Sequence, residues 1–247
     1  MPRFFIDKSQ IEDSSLFIIG DDARHIARSL RMAVGDEVTV SDGEGGEYFC
    51  KLTKIRDDRC DLVIEEQRRS KSEPKYEISL FMAYPKSDKL ELIVQKAVEL
   101  GANKIIPFES SRCIKKPKAE KALEKTSRLE RIAEEAAKQC GRALLPKVSL
   151  PLSFAEAVKS ASEYELSLFC YEGDGTRSLK SILSSFENAP KNIAVMIGSE
   201  GGFSPEEAAL AANAGMQQTN LGPRILRCET APDYCLAAIS YHFELEK

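Results

Sequence analysis

From residue 78 to the C-terminus, short apolar runs bounded by turn residues alternate with stretches carrying apolar residues at helical spacing. No other feature of the chain restricts its fold as much. The strand-like runs are Ile78-Ser79-Leu80-Phe81-Met82-Ala83, Lys104-Ile105-Ile106-Pro107-Phe108, Leu166-Ser167-Leu168-Phe169-Cys170-Tyr171, Ile193-Ala194-Val195-Met196-Ile197 and residues 217–221. Between the first two, Leu90, Ile93, Val94, Ala97, Val98 and Leu100 form one helical stripe, opened by the capping-box pattern Asp88-x-x-Glu91 and stopped by Gly101. A longer helix is expected over residues 118–140, with Leu129, Ile132, Ala133, Ala136 and Cys140 facing inward, and shorter ones near 179–186 and 205–214 and up to about Phe243. Strands separated by helices pair in parallel, because the helix carries the chain back to the starting edge. The expected class is therefore α/β with a mainly parallel sheet.

Residues 1 to about 70 have a different texture. Val38-Thr39-Val40, the turn cluster Asp42-Gly43-Glu44-Gly45-Gly46 and Tyr48-Phe49-Cys50-Lys51-Leu52 spell a β-hairpin, and Cys60-Asp61-Leu62-Val63-Ile64 adds a further strand. One helix is expected from about Asp22 to Met32, with Ile26 and Leu30 on its inner face and Arg24, Arg28 and Arg31 in one stripe. The segment Arg68-Arg69-Ser70-Lys71-Ser72-Glu73-Pro74-Lys75 contains no apolar side chain apart from its proline and reads as a linker. This divides the chain into domains over residues 1–72 and 73–247.

At 247 residues the chain can bury two cores. Its start, Met1-Pro2-Arg3-Phe4-Phe5-Ile6-Asp7, meets a charge before any apolar run of signal-peptide length, and no stretch approaches about 18 uninterrupted apolar residues. A cytoplasmic protein with no membrane partner is expected. The seven cysteines are scattered without a C-x-x-C pair and read as reduced thiols; with only His25 and His242 besides, no compact metal-ligand set is visible. The formal net charge of −4 argues against binding nucleic acid by bulk charge. Residues 112–147 nonetheless hold eleven Lys and Arg against five Glu and no Asp, a patch suited to phosphates or equally to a solvated helix face.

Ligands of open α/β sheets bind beyond the carboxyl ends of the strands, which directs attention to three loops. After Tyr171 comes Glu172-Gly173-Asp174-Gly175; after Ile197 comes Gly198-Ser199-Glu200-Gly201-Gly202-Phe203; after Leu221 comes Gly222-Pro223-Arg224-Ile225-Leu226-Arg227-Cys228-Glu229-Thr230-Ala231. In the second loop three glycines in five positions permit close approach to a ligand, but neither phosphate-loop motif is present, and Glu200 places negative charge in the turn. It suits a neutral or cationic ligand, or is a plain strand-to-helix turn. In the third loop Arg224 and Arg227 could clamp phosphate, stabilise a developing oxyanion, or hold Glu229 in an ion pair.

The two long strings around Gly198 and Gly222, with Met1-Pro2-Arg3-Phe4-Phe5, residues 25–31 and 86–101 and Gln139-Cys140-Gly141-Arg142, resemble the ribosomal RNA small subunit methyltransferase E family over nearly the full chain. Ser199 stands where that family usually has proline and Cys228 where it usually has threonine. The resemblance implies a trefoil-knotted SPOUT methyltransferase domain following a small PUA-like β-barrel domain, in a homodimer. It implies S-adenosyl-L-methionine as methyl donor and N3 of one uridine in 16S ribosomal RNA, free or in the assembled small subunit, as acceptor. The implied cofactor site comprises Leu168, Tyr171, Glu172, Gly173, Ile197, Gly198, Glu200, Gly201, Gly202, Leu221, Gly222, Ile225, Leu226 and Arg227. Arg224 or Arg227 is expected to stabilise the uracil anion, and Glu229 to orient an arginine or take the proton. The expected RNA footprint is Arg3, Arg24, His25, Arg28, Arg31, Arg112, Lys115, Lys116 and Arg142. A knotted methyltransferase acting on another RNA position and a non-catalytic RNA-binding or ribosome-assembly protein are the competing readings.

Overall fold

The computed structural model describes residues 1–86, 89–114 and 119–245. They divide into two compact units: Met1–Glu73 with Ala137–Leu145, and Pro74–Ala136 with Pro146–Lys247.

The first unit is built on a six-stranded sheet. Its strands are β1 (Arg3–Phe5), β2 (Ile11–Glu12), β3 (Ser15–Ile19), β4 (Glu37–Ser41), β5 (Gly46–Ile55) and β6 (Arg59–Arg69), in the order β1-β4-β5-β6-β3-β2. All neighbours are antiparallel except β1 and β4. The hairpin read from the sequence is β4–β5, with Val38 opposite Cys50 and Val40 opposite Tyr48. Phe4, Leu16, Ile18, Val38, Val40, Leu52 and Leu62 point into one core.

The helix of this unit differs from its expected form. A short α-helix, α1 (Gly20–Arg24), widens into a π-turn over His25–Ser29, where Leu30 N–H donates to His25 O at 2.9 Å. Arg31 then takes φ 51°, the left-handed region. The extra residue per turn breaks the 3.6-residue stripe. Ile26 is buried, Leu30 is 41% exposed, and Met32 packs against the core instead.

The segment read as a linker is shorter than its sequence suggests and is tied down. β6 continues through Arg69, which pairs with Gly46. Glu73 accepts hydrogen bonds from Arg142 Nη2 at 2.8 Å and Nε at 3.1 Å, and from the backbone N–H groups of Ala143 and Leu144 at 2.8 and 3.0 Å. Residues 143–145 also pair with the hairpin turn, Gly45 N–H donating to Ala143 O and Leu145 N–H to Gly43 O. Thus nine residues distant in sequence complete the N-terminal unit.

The second unit contains β7 (Glu77–Ala83), α2 (Lys89–Glu99), β8 (Lys104–Glu109), α3 (Ala119–Cys140, its last turn belonging to the first unit), β9 (Lys147–Val148), β10 (Leu152–Ser153), α4 (Phe154–Ser162) and β11 (Leu166–Cys170). β12 (Arg177–Ser178), α5 (Leu179–Leu183), β13 (Asn192–Ile197), α6 (Pro205–Asn213), β14 (Gln217–Asn220) and α7 (Thr230–Glu244) follow. The sheet runs β10-β8-β7-β13-β11-β14-β12, with β9 on β8, and every recorded pair is parallel. Near-continuous apolar runs such as residues 78–83 are buried on both faces, as a sheet covered by helices requires. The α2 stripe buries Leu90, Ile93, Val94, Ala97 and Val98; Asp88 of its expected capping box lies outside the described residues. Among the described residues no helix is long and apolar enough to cross a membrane.

Candidate functional site

Because β13, β11 and β14 are parallel neighbours, their carboxyl ends deliver three loops to one place. Residues 170–173, 197–203 and 219–229 line a single cavity of about 900 Å³, joined by Lys89, Arg112, Pro205 and Ala231. Every cofactor residue expected from the sequence lies on this wall except Leu168. Leu168 is fully buried within β11, and Cys170, two residues on, is the strand residue that reaches the cavity.

The loop after β13 is held by close packing rather than by strand pairing. A Cβ on Gly201 would come within 2.9 Å of Arg112 Cβ and 3.1 Å of its carbonyl oxygen, so only glycine allows the two segments this near. Arg112 Nη1 donates to Gly201 O at 3.1 Å, and Ser199 Oγ donates to Arg112 O at 3.4 Å. Gly202 turns the chain at φ 62°. Phe203 then packs on Phe169 at 4.2 Å between ring centroids, and Ser204, Pro205 and Glu207 start α6 with a capping box. A hydroxyl at position 199 therefore supplies a hydrogen bond that a proline could not.

The electrostatic centre of the cavity is Lys89. Its ammonium lies 3.2 Å from Glu200 Oε1 and 3.0 Å from Glu229 Oε2, linking the loop after β13 to the loop after β14. The hydrogen bond from Lys89 holds the Glu229 carboxyl down to about pKa 2 against the opposing effect of burial. For Glu200 burial acts upward, but its own backbone N–H, that of Lys86 and the Lys89 ammonium together lower it. Burial, reinforced by Glu229, pushes the Cys228 thiol up to about 12, and it donates to Glu229 at 3.2 Å. Both carboxylates are thus fixed anions at neutral pH, and the thiol is neutral.

Arg224 and Arg227 are exposed on the cavity wall, and neither side chain makes a hydrogen bond or ion pair with the described residues, although the Arg227 carbonyl accepts from the N–H groups of Thr230 and Ala231. Glu229 is paired with Lys89 rather than with either arginine, which removes the arginine-orienting role expected from the sequence. The same Lys89 hydrogen bond holds Glu229 near pKa 2, which weakens it as a base for the proton of a neutral uridine.

The expected RNA footprint divides. Arg24, His25, Arg28 and Arg31 are exposed around α1 and the π-turn, Arg24 paired with Asp21 and Arg28 with Asp57. Arg112 is exposed at the cavity. Arg3 is instead a structural cation, 2.7 Å from the buried Glu47 and bonded to Ser41 Oγ at 2.8 Å. Arg142, with a side chain only 4% exposed and clamped on Glu73, is likewise withdrawn from any RNA surface. Lys115 and Lys116 lie outside the described residues. Among the described residues no cluster of His, Cys, Asp and Glu is arranged to hold a metal ion.

Lys89 is the charged wall residue that sequence reasoning missed, beside uncharged ones such as Cys170, Thr219 and Asn220. A signal was available: lysine at the first residue of a helix opposes the positive end of the helix dipole, so its placement needs carboxylates from elsewhere.

Two families match the chain, the one described as RNA methyltransferase domain over residues 71–240 and the one described as RNA methyltransferase PUA domain over residues 18–65. The ribosomal RNA small subunit methyltransferase E of Bacillus subtilis is 35% identical, covering 99% of this chain and 98% of the relative. The protein of the same description from Synechocystis is 33% identical over 96% of this chain and 77% of the relative. Among solved structures, a ribosomal RNA small subunit methyltransferase E from Neisseria gonorrhoeae bound to S-adenosyl methionine superposes with a TM-score of 0.86 at 28% identity, covering 98% of each chain.

Proposed function

Since this chain belongs to the ribosomal RNA small subunit methyltransferase E family, we propose that it uses S-adenosylmethionine to methylate N3 of one uridine in 16S ribosomal RNA. The observation that carries this reading is the convergence of three strand-end loops on one cavity bearing two fixed carboxylates and two unpaired arginines.

The residues present fit the donor. A cavity of about 900 Å³ is of the size that encloses a small organic ligand. Ile197, Ile225 and Leu226 offer apolar surface for a purine ring, and the backbone of residues 198–202 and 221–227 offers hydrogen-bonding groups. Glu200 and Glu229 make the wall favourable to positive charge, and S-adenosylmethionine supplies a methyl group on a positively charged sulfur. Uridine N3 is protonated at neutral pH and becomes nucleophilic once that proton is lost. Arg224 and Arg227, whose side chains have no partner among the described residues, stabilise the negative charge that then spreads over the flanking carbonyl oxygens. Glu229 acts as a fixed anion of the wall rather than as the proton acceptor.

The exposed Arg24, His25, Arg28 and Arg31 of the PUA-like unit, together with Arg112, supply cations for the RNA backbone. The trefoil knot, the homodimer and the small ribosomal subunit as partner belong to the same proposal.

Mapping N3-methyluridine in 16S ribosomal RNA from a deletion strain tests it directly. The mark should vanish and return with the wild-type gene; a mark that persists overturns the assigned target. With saturating cofactor, Arg224→Ala or Arg227→Ala should slow methyl transfer by about 100-fold, the usual effect of losing one oxyanion-stabilising donor. Wild-type rates in both variants would remove the arginines from the mechanism.

A further inference from the structure

We infer that Lys89 is a positioning residue that joins the two carboxylate-bearing walls of the cavity into one preformed unit. The inference deepens the proposed function and rests on reading this cavity as the methyl-donor site.

The geometry is specific. Residues 198–203 and 221–229 leave different strands, and no backbone hydrogen bond is recorded between them. Lys89 Nζ reaches Glu200 Oε1 at 3.2 Å and Glu229 Oε2 at 3.0 Å. Each carboxylate has a second partner, Glu200 the Lys86 N–H on both oxygens at 3.1 and 3.2 Å, Glu229 the Cys228 thiol on the same Oε2 that Lys89 holds. One ammonium therefore spans two anchored anions.

The lysine is itself held. α2 packs against α7, and Lys96, two turns along α2 from Lys89, meets Asp233, one turn along α7 from Glu229, at 2.9 Å. The first ion pair fastens the helices to each other away from the cavity; the second lies on its wall. Without a cation at position 89, Glu200 and Glu229 would repel across the gap, and the loops would have to be brought together by the ligand at the expense of affinity.

The test compares Lys89→Met, Lys89→Arg and Lys96→Met in the full chain. Hydrogen exchange of ligand-free protein should show amides in residues 198–203 and 226–231 exchanging about ten-fold faster in Lys89→Met, as loss of one charged hydrogen-bond pair implies, and near wild-type rates in Lys89→Arg. Calorimetry should show the Kd for S-adenosylmethionine raised by about ten-fold in Lys89→Met, within about three-fold of wild type in Lys89→Arg, and unchanged in Lys96→Met despite its similar loss of a helix–helix ion pair. In Lys89→Met that affinity should also become pH-dependent between about pH 5 and 7, as one of two facing carboxylates gains a proton, while wild type stays flat. A folded Lys89→Met with wild-type exchange and wild-type affinity overturns the inference, as does an equal loss of affinity in Lys96→Met, which would reduce Lys89 to helix docking. Should wild-type protein fail to bind S-adenosylmethionine, the methyl-donor reading falls, and the exchange comparison still decides whether Lys89 staples the loops.

Discussion

At the scale of single residues, the cavity owes its character to the way charges are shared. Glu229 illustrates it: the sequence placed this carboxylate just after two arginines, and the fold gave it to a lysine more than a hundred residues away. Contacts of such span leave no trace in local pattern, whereas the exposure of Arg224 and Arg227 on a strand-end loop follows from their neighbourhood. The depressed pKa has a consequence of definite sign. A carboxyl at about 2 in the folded protein and about 4.3 in the unfolded chain contributes stability that is complete above roughly pH 5 and disappears as the pH falls through 2. Glu229→Gln should therefore be less stable than wild type at pH 7, by on the order of 1 kcal/mol for this partly exposed pair. That difference should close between about pH 4 and pH 2 when both are unfolded with urea. A gap that stays constant down to pH 2 would contradict the assigned pairing.

Among the elements, long periodic ones are those that composition and spacing announce. The stripe of α2, the inward residues of α3 and the buried runs of β7, β11 and β13 were all visible because burial dictates every third-to-fourth residue of a surface helix and nearly every residue of a strand covered on both faces. β9, β10 and β12 have two residues each, too few to show any period, and their existence depends on the neighbours they pair with. α4 was missed although Ser153 and Glu156 spell its capping box, since no strand of readable length precedes it. The π-turn after α1 is hidden for another reason: one inserted residue changes which side chains share a face without changing composition. It ends at Arg31, an exposed residue held at φ 51°. Relief of that conformation outweighs the added freedom of the unfolded chain, so Arg31→Gly should raise the stability of the protein by roughly 0.5–1 kcal/mol, measured by chemical denaturation. A loss of that size would show that the arginine side chain itself supports the turn.

For the molecule as a whole, the net charge of −4 says nothing of which cations are available to a polyanion. Two of the expected RNA contacts, Arg3 and Arg142, neutralise internal carboxylates instead, a distinction that sequence cannot make because both roles select arginine. Arg142→Met leaves Glu73 without its guanidinium, and a broken buried pair of this kind costs about 3–5 kcal/mol. The variant should unfold at markedly lower denaturant concentration, while the salt dependence of RNA binding measured below that transition keeps its slope; a stable variant with a slope reduced by about one would return Arg142 to the interface. The same clamp bears on how the protein is made. Glu73 and the turn at Gly43 to Gly45 take part of their hydrogen bonding from residues 142–145. During synthesis, then, the first module leaves the ribosome with its sheet-forming segments complete but without the guanidinium and backbone N–H groups that meet Glu73, which follow only when residues 142–145 have been made.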